Sequence, residues 1–357
     1  MAYLKLYRDK LRHNYNYLDS LFKDNAIKWG ITTKLLCGHE EFLKEVADLG
    51  IGEMLDSRIS NLKKIKEIDP DTLTTYIKPP PKDIIDSVVK YADVSLNTEL
   101  STLHALSEEA QKQGKTHKVI IMIELGDLRE GVIRENLIDF YEKVFKLSNI
   151  EVIGIGANLN CMHGVMPDED KLIQLSLYKQ IIELRFNKEI PLVSGGTTVT
   201  IPLLLRNQLP SGVNHFRIGE ALFFGKNLFT DGTIKGMHND VLELYSQIIE
   251  ISEKPKVPSG DLGMNPQGEV ADIDEKDYGE TSYRAILDIG YLDINPDHLI
   301  NIEDNVKIAD ASSDMLILDV GDNKAGYEVG DFIRFRMKYM GALGIMNSDY
   351  IDKMVEE

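Results

Sequence analysis

The chain has 357 residues, of which 43% are hydrophobic and 27% charged, and its formal net charge is −18. That composition belongs to a folded protein with an ordinary core and excludes a disordered or collagen-like chain. At roughly 150 residues per domain, the length implies about two domains. The acidic balance argues against nucleic-acid binding, which needs a local basic face, and none is visible. No apolar run reaches the roughly 18 residues of a membrane span, and residues 1–20 lack the apolar segment of a signal peptide. Two cysteines, Cys37 and Cys161, are too few for a disulfide framework or a four-thiolate zinc site. The expectation is a cytoplasmic protein with no membrane, nucleic-acid or metal partner.

From residue 1 to 235, short apolar runs alternate with longer amphipathic ones. Strands are predicted at 27–34, 52–55, 73–77, 93–96, 119–125, 152–158, 192–194 and 215–218. Helices are predicted at 8–22, 39–49, 57–67, 82–90, 98–113, 135–147, 168–186 and 199–206, where apolar residues recur at three-to-four spacing. Regular alternation implies parallel strands joined by crossover helices. Eight such units in one stretch fit an α/β fold of the (β/α)8 barrel (TIM barrel) type better than two doubly wound sheets.

From 236 to 357 the pattern changes. The stretch 252–281 is rich in Pro, Gly and Asp and reads as loops or a hairpin. Strand-like runs follow at 283–289, 305–309, 315–320 and 332–339, separated by turn signals such as Gly321-Asp322 and Gly330-Asp331. This predicts a smaller, mostly β domain over 236–357 behind a barrel over 1–235.

In such a barrel the chemistry sits at the carboxyl ends of the strands. Strand one is expected to end at Lys34, strand six at Asn158, strand seven in Ser194-Gly-Gly-Thr-Thr198 and strand eight in Arg217-Ile-Gly-Glu220. The last two positions are where barrels often hold phosphate. There Gly195 and Gly196 admit close backbone approach, and Thr197 and Thr198 supply hydroxyls. A lysine closing an apolar strand loses hydration, which lowers its pKa and suits it to Schiff-base chemistry. Lysine and phosphate cradle together suggest pyridoxal phosphate or a sugar-phosphate aldehyde. His39, after Gly38, reads as a packing residue. Cys161 and His163 alone do not make a metal site. Gly154-Ile-Gly156 lacks the third glycine and following helix of a dinucleotide loop.

These motifs, taken together, resemble the fold-type III pyridoxal-phosphate enzymes typified by alanine racemase. Thr33-Lys34-Leu-Leu-Cys37-Gly38-His39 is similar to that family's lysine segment, with Cys37 near a usual tyrosine. Ile123-Glu-Leu-Gly126-Asp-Leu-Arg129-Glu-Gly131 has the spacing of its arginine loop. Asn158 stands where alanine racemases tend to carry a histidine. Gly196-Thr197-Thr198 resembles the phosphate turn, and Asn214-His-Phe-Arg217-Ile-Gly219 the arginine segment that meets the pyridine nitrogen. Ile289-Gly290-Tyr291-Leu-Asp293 resembles the catalytic tyrosine motif, and residues 311–320 with Ser313 and Asp314 the substrate-carboxylate loop. Leu343–Tyr350 resembles the segment carrying a phosphate-binding tyrosine. Among subgroups, the lysine, arginine-loop and glycine segments look most like ornithine racemase.

The resemblance implies a pyridoxal-phosphate-dependent amino-acid racemase, with a basic amino acid such as ornithine or lysine as the leading substrate. An alanine/serine-type or broad-specificity racemase, or a lyase on the same fold, is the alternative. Lys34 and Tyr291 would be the two bases, with Tyr291 supplied in trans by a head-to-tail homodimer. Arg129 would pair with the cofactor phenolate or the substrate carboxylate. The cofactor would be held by Lys34, Asn158, Ser194, Gly195, Gly196, Thr197, Thr198, Arg217, Gly219, Glu220 and Tyr350, and the substrate by Arg129, Ser313 and Asp314. Asp293 and Asp314 are candidate partners for a side-chain ammonium. A non-catalytic carrier is disfavoured, because the small carriers of this fold lack a β domain.

Overall fold

A computed structural model describes residues 2–356, apart from 231, 265–267, 269, 271, 272 and 305. The chain divides into two compact units: Arg8–Val241, and the residues up to Tyr7 together with Leu242–Glu356.

After strand β1 (Tyr3–Tyr7), which belongs to the second unit, the first unit builds one parallel sheet. Its strands are β2 (Lys28–Thr32), β3 (Glu53–Asp56), β4 (Leu73–Tyr76), β5 (Val94–Asn97), β6 (His117–Met122), β7 (Ile150–Gly156), β8 (Leu192–Ser194), β9 (Gly196–Thr197) and β10 (His215–Ile218). Their order is β8-β7-β6-β5-β4-β3-β2-β10-β9. Only Gly195 separates β8 from β9, so the two are halves of one stretch. The first half pairs with β7 and the second with β10, and the Asn214 N–H reaches the Val193 carbonyl at 3.3 Å. The sheet thereby nearly closes on itself as a barrel. A hairpin of β11 (Lys226–Asn227) and β12 (Gly232–Thr233) follows it.

The helices between the strands are α1 (Arg8–Asp24), α2 (Glu40–Ala47), α3 (Ile59–Ile68), α4 (Ile85–Tyr91), α5 (Leu100–Lys112), α6 (Leu137–Val144), α7 (Glu169–Phe186), α8 (Ile201–Leu205) and α9 (Glu220–Phe224). α1 shows why they form: Leu11, Asn14, Leu18 and Phe22 recur at helical spacing and are buried. α7 starts at Asp168, whose carboxylate accepts the Lys171 N–H at 2.8 Å. Strands covered on both faces read as continuous apolar runs. One core cluster is Val94, Leu96, Ile120 and Met122, with Leu73, Ile77, Ile153 and Leu192 packed on it. Each such side chain fully buried contributes roughly 1.5–3 kcal/mol.

The eight expected strands and eight expected helices are all present, with shifted ends. Strand β2 stops at Thr32, not Lys34, because Thr33 turns to φ −89°, ψ −1° and opens a 3₁₀ turn over Lys34–Leu36. β7 stops at Gly156, two positions before Asn158. No described helix is long and apolar enough to cross a membrane.

The second unit is antiparallel in the order β15-β18-β13-β14-β17-β16, from β13 (Leu242–Pro255), β14 (Thr281–Leu287), β15 (Leu299–Asn301), β16 (Lys307–Ala311), β17 (Leu316–Asp319) and β18 (Phe332–Met337). Helix α10 (Tyr339–Asn347) and β19 (Asp352–Glu356) complete it. β1 joins here, antiparallel to β13 with Leu4 opposite Leu244, and parallel to β19. Residues 3–7, assigned to the barrel from sequence, are thus a strand of the β unit: Leu4 and Leu6 are buried in it. The expected strand at 305–309 begins on Asn305, which lies outside the described residues; β16 runs from Lys307. Part of the 252–281 stretch also lies outside them, but its flanks pair as a hairpin, Pro255 opposite Thr281.

Candidate active site

Because every barrel strand runs the same way, their carboxyl ends share one rim. The segment after β2 is fixed before it reaches Lys34. Thr33 is fully buried. Its N–H donates to the Leu55 carbonyl at 2.8 Å, and its hydroxyl donates to Asp56 Oδ2 at 2.9 Å. Asp56, also fully buried, accepts from the Arg58 N–H and the Asn61 amide at 2.9 and 3.1 Å. Lys34 itself is exposed. The dehydration expected for it is therefore absent, since the 3₁₀ turn carries it off the strand.

Arg217, on β10, is the opposite case: 6% exposed, with burial pushing its guanidinium down to about 10. It is still a full cation at neutral pH. Nη1 donates to the Ser194 carbonyl at 2.7 Å and to the Ser194 hydroxyl. Nη2 donates to the Ala157 carbonyl at 2.9 Å and to Asn158 Oδ1 at 2.6 Å. Four of its five N–H donors are thus placed; the Nε–H has no partner among the described residues. Ser194 continues inward to His215 Nδ1 at 2.7 Å, His215 Nε2 to Glu53 at 2.9 Å, and Thr75 donates to Glu53 at 2.6 Å. Burial alone would raise the Glu53 carboxyl, but His215, Thr75 and Arg217 hold it below its ordinary value.

The line also runs outward. Asn158 Nδ2 donates to Glu130 Oε1 at 2.5 Å. Glu130 takes Arg129 in a two-pronged pair, Nη2 to Oε1 at 2.6 Å and Nε to Oε2. This pairing raises the Arg129 pKa. Arg129 sits on a loop closed by an Ile123–Val132 bridge. Gly131, at φ +153°, allows the return: a Cβ there would lie 2.2 Å from the Glu124 nitrogen.

Asp127 pins the neighbouring loop. It is 1% exposed and accepts the N–H groups of Cys161 and Met162 at 2.9 Å each and of His163 at 3.2 Å. These bonds hold its carboxyl below the usual range against the effect of burial. Burial raises the Cys161 thiol, Arg129 and Lys34 pull it down, and Glu130 pushes it up. Among the described residues no three His, Cys, Asp or Glu side chains are grouped to hold a metal. His39 caps α2 and stacks edge-on against Phe42 at 4.8 Å.

The glycine turns meet beside this line. A Cβ at Gly196 would lie 2.1 Å from the Phe216 ring, Thr198 accepts the Ala221 N–H at 3.1 Å, and Thr200 accepts the Thr197 N–H at 3.2 Å. The N–H groups of Gly219 and Glu220 have no partner among the described residues. Burial raises the Glu220 carboxyl, offset by Lys226 and Lys34.

In the β unit, two loops are zipped together by backbone bonds. Tyr291 N–H meets the Ser312 carbonyl at 3.0 Å and Leu292 N–H the Ser313 carbonyl at 2.8 Å. Gly290 is needed there, since a Cβ would lie 2.5 Å from the Asp314 nitrogen. Tyr291, Ser313 and Asp314 therefore share one exposed edge, Tyr291 being 45% exposed. Asp293 turns inward and accepts the Gly290 N–H at 3.2 Å. Tyr350 is 78% exposed in the loop after α10.

The rim fits pyridoxal phosphate. Lys34 supplies an amine, the buried Arg217 an uncommitted Nε–H suited to a ring nitrogen, and Gly219 and Glu220 N–H groups suited to a phosphate. The sequence reading did not single out Glu130, Asp127, Glu53 or His215. The signal available was chemical: Glu130 is an opposite charge next to Arg129, and Glu53 and His215 are polar residues opening apolar strands.

Comparison with known proteins agrees. A model of the alanine racemase N-terminal domain matches residues 6–227. The chain is 40% identical over 346 residues to an ornithine racemase from Acetoanaerobium sticklandii, covering 97% of each. It is 31% identical over 324 residues to a lysine racemase from Thermotoga maritima, covering 91% of this chain and 90% of that one. Its fold matches that of the alanine racemase from Bartonella henselae with covalently bound pyridoxal phosphate, with a TM-score of 0.75 at 14% identity over 99% of both chains. These likenesses show that the chain belongs to the alanine racemase family of pyridoxal-phosphate-dependent enzymes.

Proposed function

We propose that this protein interconverts the L and D forms of a basic amino acid, ornithine or lysine, by moving the proton at Cα. The observation that carries the reading is the pairing of an exposed amine, Lys34, with the buried, almost fully bonded guanidinium of Arg217 on one barrel rim. The 40% identity to an ornithine racemase supports the substrate class.

Bound there, pyridoxal phosphate supplies an electron sink that weakens the Cα–H bond. Lys34 anchors it and handles the proton on one face at Nζ. Tyr291, from a second copy in a head-to-tail homodimer, handles the proton on the other face at Oη. A tyrosine near pKa 10 needs nearby cations to act as a base, and Arg129 is the candidate. Arg129 also holds the substrate carboxylate. Arg217, which does not readily give up a proton, would hold the ring nitrogen by donating a hydrogen bond without protonating it. Asn158 and Ser194 hold Arg217 in place. Gly195, Gly196, Thr197, Thr198, Gly219, Glu220 and Tyr350 cradle the phosphate. Ser313 and Asp314 receive the substrate, Asp314 or Asp293 facing the side-chain ammonium. We place the enzyme in the cytoplasm.

The test is a chirality-resolved screen of single enantiomers of the common amino acids and ornithine. The expected result is loss of optical purity at constant mass, fastest for ornithine or lysine. A product of altered mass would show a lyase and overturn the reading.

A further inference from the structure

The two guanidinium groups of the rim are joined through a single carboxylate. Glu130 binds Arg129 through both oxygens, and its Oε1 also accepts from Asn158 at 2.5 Å. Asn158 passes the contact on, its Oδ1 accepting from Arg217 at 2.6 Å. The orientation of the Asn158 amide is dictated at both ends. Arginine only donates, so Oδ1 must face Arg217; an ionised carboxylate only accepts, so Nδ2 must face Glu130. Without that carboxylate the amide loses the group that fixes it, and Arg129 loses the fork that fixes its plane. The Glu130 side chain is 14% exposed, shielded enough for its charge to matter, while that of Arg129 is 34% exposed.

We propose that Glu130 is a positioning residue that sets the direction of both guanidinium groups at once: Arg129 directly, toward the substrate, and Arg217 through Asn158, toward the cofactor ring. This rests on the racemase reading above. Three variants separate its two arms. Glu130→Gln can still accept from Asn158 but loses the charged fork, so it raises KM for the amino acid about 10-fold and leaves the cofactor's visible absorption in place. Asn158→Ala cuts the inner arm, so it shifts the absorption maximum and raises KM less than Glu130→Gln does. Glu130→Ala does both.

A readout independent of turnover is the absorption of the bound cofactor in full-length protein loaded with pyridoxal phosphate and given no amino acid. Glu130→Ala should shift its maximum in the same direction as Asn158→Ala. An active wild type beside a Glu130→Ala variant with unchanged KM and spectrum overturns the proposal and leaves the racemase reading standing. A Glu130→Ala maximum identical to that of the wild type overturns the inner arm whether or not the wild type racemises any amino acid.

Discussion

The barrel rim and the exposed edge of the β unit hold their candidate residues in place by different means. At the rim, side chains hold side chains: Arg217, Asn158, Glu130 and Arg129 form one bonded line. On the β unit, backbone holds backbone, through Tyr291 to Ser312 and Leu292 to Ser313. The Tyr291 and Tyr350 rings are left 45% and 78% exposed. A site whose charges must point in fixed directions needs the first arrangement. The exposed edge of the β unit has a fixed loop and uncovered side chains, which suits the trans role proposed for Tyr291.

The largest effect should come from the amine. Lys34→Ala is expected to lower racemisation on the order of 10⁴-fold or more and to abolish borohydride fixation of cofactor to the residue 34 peptide, as mass mapping would show. Fixation elsewhere would break the assignment of the rim. Next, Tyr291→Phe should cut turnover by about 10²–10³-fold while cofactor binding, followed by absorbance titration, stays within error. A full-speed variant would reduce the β edge to a scaffold.

Two smaller effects sharpen the claim that the barrel's own packing supports the rim. His117, at the start of β6, is buried beside the Ser95 hydroxyl at 2.8 Å, and burial pushes its pKa from 6.5 down to about 4. The fold therefore favours the neutral ring. This contribution is fully present above pH 6.5 and is lost as pH falls toward 4, to a total of about 3 kcal/mol. Denaturant titrations at pH 7 and pH 4.5 should show most of that loss in the wild type and less in His117→Gln. Gly196→Ala is the mildest: a Cβ would lie 2.1 Å from the Phe216 ring, so stability should fall by roughly 1–3 kcal/mol. A variant as stable as wild type would mean that the turn yields freely.

What was legible in the sequence follows from how each part is made. Buried parallel strands are short apolar runs between amphipathic helices, so the barrel could be read along the chain. β1 could not, because its partners are Leu242–Tyr245 and Asp352–Glu356, far away in sequence. Helix α10 was hidden by Gly341 and Gly344, which weaken helix propensity. Gly341 is there for packing, since a Cβ would come within 2.8 Å of His298. At the site, Lys34, Arg129 and Arg217 stand in recognisable motifs. The inner contact between Glu53 and His215 spans 162 positions, and no local pattern marks it.

The break at Gly195 carries a last consequence. It lies where one strand leaves β7 and takes up β10, so the seam of the cylinder is held by a single residue between two short ladders. If the phosphate sits at this turn, as proposed above, it would bridge the seam, and a mutation that loosens the seam would be felt as weaker binding of the cofactor.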